Sequence, residues 1–291
     1  MSSIPPSIPW SPPFKSHLVL EERIAESTIR AYYVGFDQKI FRLQALANVI
    51  VDVIPEFAMG YYQGAQVSIT DVMPRIREAA KRIYTTDKYQ RRGEFGELIL
   101  HLLLRDFCRS VPLISKIYFK DTDNATVHGF DGVHVVTTPS SKQLWLGESK
   151  FYDDGPQGIQ ELLLDLKKHL QTDYLKREFA LISTKLPEDC PDIEYWREMF
   201  HANKRLDSIL DSVCVPMLCT YTSPVYSAHS DNTPECLAAF EDECRALHKQ
   251  FGDGIGKDPP KVDVVLLLLP VNAKSDLVSE LDKRLKAMQS I

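Results

Sequence analysis

The chain has 291 residues, 44% hydrophobic and 25% charged, with a formal net charge of −6. That length buries a full core without disulfide staples, and the composition is that of an ordinary globular protein with no strong pull toward disorder. The acidic balance excludes a protein that coats nucleic acid by bulk positive charge, leaving at most a local basic groove built from Lys81, Arg82, Lys88, Arg91, Arg92, Lys167, Lys168, Lys204 and Arg205.

Residues 1–14, MSSIPPSIPWSPPF, are rich in Pro and Ser and read as an extended tail. They show neither the basic nor the apolar region of a secretory signal. From Phe41, the series Leu43, Leu46, Ala47, Ile50 and Ile54 keeps helical spacing until Pro55 stops it. Asp71 is placed to cap a second helix, with Ile76, Ala79, Ala80 and Ile83 as its apolar face. Residues 1–86 therefore read as a tail followed by a smaller, mainly helical N-terminal region, a candidate for docking a partner.

Residues 87–291 read as an α/β domain. Phe95, Leu98, Ile99, Leu102 and Leu103 mark a helix, and three strands follow it: LISKIYFK, GFDGVHVV and LWLGESKFY. The turn-forming stretches DTDNATVHG and TPSSKQ separate them as in a meander. An amphipathic helix carrying Ile159, Leu162, Leu163, Leu166 and Leu170 comes next. Two further strands, SVCVPMLCTYT and VDVVLLLLPV, are each followed by a helix, near 234–250 and 274–289. The apolar run VVLLLLPV is far shorter than a membrane span, so a cytoplasmic protein with no membrane association is expected. The six cysteines, at 108, 190, 214, 219, 236 and 244, form no C-x-x-C pair and read as reduced thiols.

The residues that carry chemistry fall at the ends of these elements. Glu94 and Glu97 lie three apart on the helix of GEFGELILHLLL and so share a face. Asp131 lies in GFDGVHVV, while Glu148 and Lys150 lie two apart in LWLGESKFY, on one face of a strand. An antiparallel pairing of these two strands brings Asp131 beside Glu148. Two adjacent carboxylates resist joint ionisation unless a positive charge stands between them, and a divalent cation supplies it. Magnesium takes oxygen ligands, commonly one or two carboxylates with water and substrate phosphate, so Asp131, Glu148 and a helix Glu make a suitable open cage. Lys150 on the same face is placed to orient or deprotonate the attacking water, or to offset charge on a phosphodiester in its transition state.

The order GEFGE, GFDGV and GESK, with a helix after it, resembles the PD-(D/E)xK nucleases and their restriction-endonuclease-like fold, a mixed sheet flanked by helices. The resemblance implies a deoxyribonuclease dependent on Mg2+, with Mn2+ as a substitute. It also implies Asp131, Glu148 and Glu97 as metal ligands, with Lys150 completing the catalytic set. Glu94 is the substitute for Glu97. Phe130 stands where the family's name-giving Pro is found. Gln160 matches a glutamine of some branches, whereas Leu164 stands where those branches carry Tyr. More narrowly, the N-terminal region and the spacing from RRGEFGE to GFDG to GESKF resemble the nuclease subunit of Hachiman anti-phage defence systems, which implies DNA as substrate and a helicase as partner. The rival reading is a nucleic-acid-binding or scaffold subunit that keeps the fold without the chemistry, since Glu-x-Lys and Asp-Gly each also occur as a solvated pair and a turn.

Other patterns carry less. FGDGIGKDPP lacks the first glycine and the hydroxyl residue of a phosphate loop, and no G-x-S-x-G or H-E-x-x-H is present. His101, His128 and His134 read as structural histidines.

Overall fold

The computed structural model describes residues 11–60, 68, 70–83, 93–115, 129–138, 140–186, 188, 192–201, 203–256 and 260–291. Several features read from sequence lie outside them: most of the Pro-rich tail, Lys88, Arg91, Arg92, His128, Cys190, the end of LISKIYFK, nearly all of the turn after it, and the division at 86/87.

The chain opens with a hairpin of β1 (Glu21–Ala25) and β2 (Ile29–Tyr33), then a short ribbon of β3 (Phe36–Asp37) and β4 (Ile40–Phe41). Helices α1 (Leu43–Asp52), α2 (Ile54–Met59), α3 (Val72–Ile83) and α4 (Glu94–Asp106) follow. The meander β5 (Val111–Ser115), β6 (Gly132–Thr137) and β7 (Lys142–Tyr152) leads into α5 (Gly155–His169), α6 (Thr172–Lys185), α7 (Ile193–Met199) and α8 (Asp207–Leu210). The remainder is β8 (Val213–Thr222), α9 (Pro224–Ala228), α10 (Pro234–Ile255), β9 (Asp263–Val271) and α11 (Lys274–Ser290).

Among the described residues, seven strands form one mixed sheet in the order β1-β2-β9-β8-β7-β6-β5. Strands β2, β9, β8 and β7 run parallel, while β6, β5 and β1 are antiparallel to their neighbours. The parallel centre is apolar along nearly its whole length because helices cover both faces. On β8, Val215, Met217 and Cys219 face one apolar layer, shared with α5, α6, α7 and α10. Cys214 and Leu218 face the other, shared with α1, α2, α3, α4 and α11. The period-2 alternation of a strand thus sets up three layers, helix on sheet on helix.

Two expectations change. Pro55 does not close the first helix: α1 ends at Asp52, and Pro55 sits in the first turn of α2, where its missing N–H has no helical partner to lose. Residues 21–33, where β-favouring stretches mix with charge, form two strands of the main sheet and so make the N-terminal region less helical than expected. Ile29, Arg30 and Ala31 pair with Leu266, Leu267 and Leu268 of β9. Among the described residues, no helix is long and apolar enough to cross a membrane.

Candidate active site

The site lies where β7 approaches its C-terminal end and β6 begins. Their register pairs Gly132 with Gly147, which sets Asp131 beside Glu148, and the Asp131 N–H donates to the Gly147 carbonyl at 2.8 Å. Antiparallel pairing therefore does what the spacing of the two motifs predicts. Leu144 and Leu146 pack into the layer under α5, so Glu148 and Lys150, at the next same-side positions, face that helix as well. Ser149 points to the other face. Its backbone N–H and its hydroxyl both donate to Asp131 Oδ2, at 2.8 and 2.7 Å, which fixes the carboxylate across the two strands.

Asp131 and Glu148 are both 5% exposed, an unusual depth for ionisable groups. Lys150 Nζ donates to Glu148 Oε1 at 3.1 Å and also pairs with Asp165 Oδ2 of α5. One turn further along α5, His169 Nδ1 lies 3.6 Å from Glu148 Oε2. The His169 ring stacks on Tyr174 at 4.5 Å between centroids and meets Phe130 edge-on at 4.8 Å, so the residue preceding Asp131 also packs against it.

These contacts set the charge states. Burial alone would lower the Lys150 pKa, but the Glu148 and Asp165 carboxylates outweigh it and hold the ammonium above its ordinary range. Burial likewise favours the neutral form of Asp165, and Lys150, with Glu148 and His169 beside it, more than offsets this and keeps the carboxyl below its ordinary value. Burial pushes His169 down to about 4, with Lys168 and Lys150 adding to the effect and Asp165 and Asp131 opposing it, so its imidazole is neutral at neutral pH. The described cluster accordingly places an ammonium, the Asp165 carboxylate and a neutral imidazole around Asp131 and Glu148.

Glu97 enters from the other side of the sheet. It lies in the first turn of α4, 8% exposed, with Oε1 turned back to within 4.0 Å of where a Cβ on Gly93 would sit. The helix comes close to the site through its neighbour Gly96, whose absent Cβ would stand 3.0 Å from Ser149 Oγ. Glu94 is half-buried, one turn earlier on the same helix. The structure thus bonds Lys150 to Glu148, sets Asp131 at the neighbouring position of the adjacent strand, and brings the helix that carries Glu97 against the serine that anchors Asp131.

Other residues fall elsewhere. Gln160 is exposed on α5. His101 bonds Glu56 at 2.9 Å within a buried group completed by Arg105, and His134 bonds the Ser110 hydroxyl at 2.8 Å, so both are structural. Sequence reasoning missed Asp165 and His169. Their four-residue spacing on the helix after E-x-K was the available signal, since it puts both on one face.

Among the described residues, no three His, Cys, Asp or Glu side chains are gathered closely enough to hold a metal ion by themselves. The donor chemistry of Asp131 and Glu148 nevertheless fits magnesium, which is content with one or two carboxylates and takes its other oxygens from water and phosphate. A family model described as HamA matches residues 12–285, nearly the whole chain. No curated protein matches it.

Proposed function

The chain belongs to the HamA family, the Hachiman defence subunit, and from that premise we propose that it is the nuclease of the system, a deoxyribonuclease of PD-(D/E)xK type with a restriction-endonuclease-like core. One observation carries the reading. Asp131 and Glu148 stand side by side at the strand ends, with the Lys150 ammonium on the face of Glu148. Asp131 and Glu148 would hold Mg2+ or Mn2+, with Glu97 contributing from α4. Such an ion, when bound, acidifies its water and offsets charge on a phosphodiester oxygen.

The chain's own residues do the rest. Ser149 holds Asp131 in one orientation, so the carboxylate is set before substrate arrives. The Glu148 and Asp165 carboxylates favour the ammonium form of Lys150, which makes it a poor base for water. Its role is to stabilise the negative charge that grows on the phosphate oxygens as water attacks phosphorus and the bond to the leaving oxygen breaks. Phe130, His169 and Tyr174 close the wall behind the carboxylates and keep the local dielectric low.

The chain's −6 charge makes its unaided encounter with DNA weak and salt-sensitive, which supports delivery by a partner. A helicase with its own basic track is the partner proposed. The decisive measurement is cleavage of circular and linear DNA with Mg2+ or Mn2+, by the chain alone and with the helicase present. Cleavage that needs the metal and is lost in Lys150→Ala supports the nuclease. Wild-type rates in purified Lys150→Ala would overturn the assignment of the site.

A further inference from the structure

Asp165 and His169 lie four apart on α5 and share one face, and that face addresses β7 in reverse order: Asp165 meets Lys150, and His169 meets Glu148. The spacings agree because α5 returns antiparallel to β7. Two strand residues cover about 6.7 Å, and four helical residues cover about 6 Å. The helix is thus in register with the acid and the base beneath it.

The consequence concerns competition. An ammonium and a divalent cation seek the same carboxylate oxygens, and Lys150 already reaches Glu148 Oε1 at 3.1 Å. A lysine's flexible four-carbon stem lets a single carboxylate capture it. Asp165 supplies a second anchor, half-buried on the helix that covers this face of the sheet and within reach of Glu148 as well. We infer that Asp165 is a positioning residue that draws Lys150 off Glu148 and so keeps the Glu148 oxygens available to a divalent cation. The inference rests on the reading of Asp131 and Glu148 as cation ligands.

Calorimetric titration of Mn2+ into the full-length chain tests it, on wild type, Asp165→Asn, Lys150→Ala and the double variant Asp165→Asn/Lys150→Ala. Without Asp165 the whole ammonium falls on Glu148, and Mn2+ affinity drops by about 10- to 100-fold, the range typical of groups that orient a metal ligand. Removing Lys150 as well returns the affinity to that of Lys150→Ala alone, because the competitor has gone. Asp165→Glu, which keeps a carboxylate, holds the wild-type affinity. If Asp165→Asn does not fold, Asp165→Ser takes its place in the same cycle. A double variant as weak as Asp165→Asn overturns the inference, since Asp165 is then itself a ligand. Unchanged affinity in Asp165→Asn overturns it while leaving the cation ligands in place, whereas a wild type that binds no Mn2+ removes both.

Discussion

In the proposed nuclease Lys150 and Glu148 divide their work by charge, and that division separates their variants. Asp131→Ala or Glu148→Ala removes a proposed ligand, so cleavage and metal affinity fall together. On this proposal Lys150→Ala removes only charge that matters as the phosphate reacts, so turnover falls by about 100- to 1,000-fold while Mn2+ affinity is kept or raised. Calorimetry and single-turnover cleavage on the same preparations measure both, and loss of metal binding in Lys150→Ala would show that the lysine organises the ligands rather than the transition state. The cluster was half legible in the sequence. Glu148 and Lys150 announce themselves because a strand's period of two fixes which residues share a face, and the one-strand separation from Asp131 makes an antiparallel partner of it. Asp165 and His169 do not, because a helix's apolar stripe says which side faces the sheet but not which strand lies under each residue. Glu97 is legible as a buried acid in an apolar helix, although the sequence carries no sign that this helix packs on the opposite face from Glu148.

At the scale of elements, the contact between α5 and β8 decides how closely Asp165 can approach the sheet. A Cβ on Gly158 would stand 2.5 Å from Cys219 Sγ, and one on Gly155 would stand 2.9 Å from the Tyr221 ring. Gly158→Ala gains up to about 1 kcal/mol of helix propensity, but overpacking costs roughly 1–3 kcal/mol. Overpacking wins, because Cys219 is fully buried within the apolar layer between α5 and β8. Urea unfolding should show Gly158→Ala destabilised, with Cys219→Ala in the same chain recovering much of the loss; a single variant as stable as wild type would refute the close approach. On the opposite layer, His134 is buried against His101, with Ser110, Arg105 and Glu56 completing the group. Burial, assisted by His101 and Arg105, holds its imidazole well below the usual histidine range. An unfolded histidine takes its proton near pH 6.5, so below that pH the unfolded state binds more protons than the folded one and stability falls. Between pH 7.5 and 5.5 the wild type should lose about 1 kcal/mol more than His134→Gln, and equal losses in urea titrations at the two values would show that His134 is not the source. The fold's long helices and apolar strands are readable by period alone, and the sequence carries the same signal for α6, where Tyr174, Leu175, Glu178, Phe179 and Ile182 keep helical spacing. The hairpin β1–β2 was harder. EERIA is short and charged because it is an edge, where Arg23 pairs with Glu241 and Arg30 with Glu22.

For the whole molecule, the sheet ties the two ends of the chain together, and this governs what a truncation can report. Strand β2 lies against β9, and α11 packs in the same layer as α1 and α3, so residues on both sides of position 86 share one apolar core. From the N-terminal side that core takes Leu46, Ala47, Ile50, Val53, Ile54, Phe57, Ala58, Ala79, Ala80 and Ile83, each buried. Removing residues 1–86 would therefore uncover the helical layer over Leu267, Leu269 and Val271, and turn β9 into an edge. An exposed edge with the sequence VVLLLLPV is long, apolar and uncharged, which is the pattern that pairs with other chains and aggregates. The expected outcome is that residues 87–291 expressed alone are insoluble, or soluble only as aggregates without a cooperative melt. Loss of partner binding on such a deletion would then report lost folding, so a docking surface in this region has to be sought with exposed point substitutions such as Met73→Glu, which leave the core intact. A soluble, monomeric 87–291 chain with a cooperative thermal transition would show that β1, β2 and α1–α3 are an appended unit, and that the sheet is complete without them.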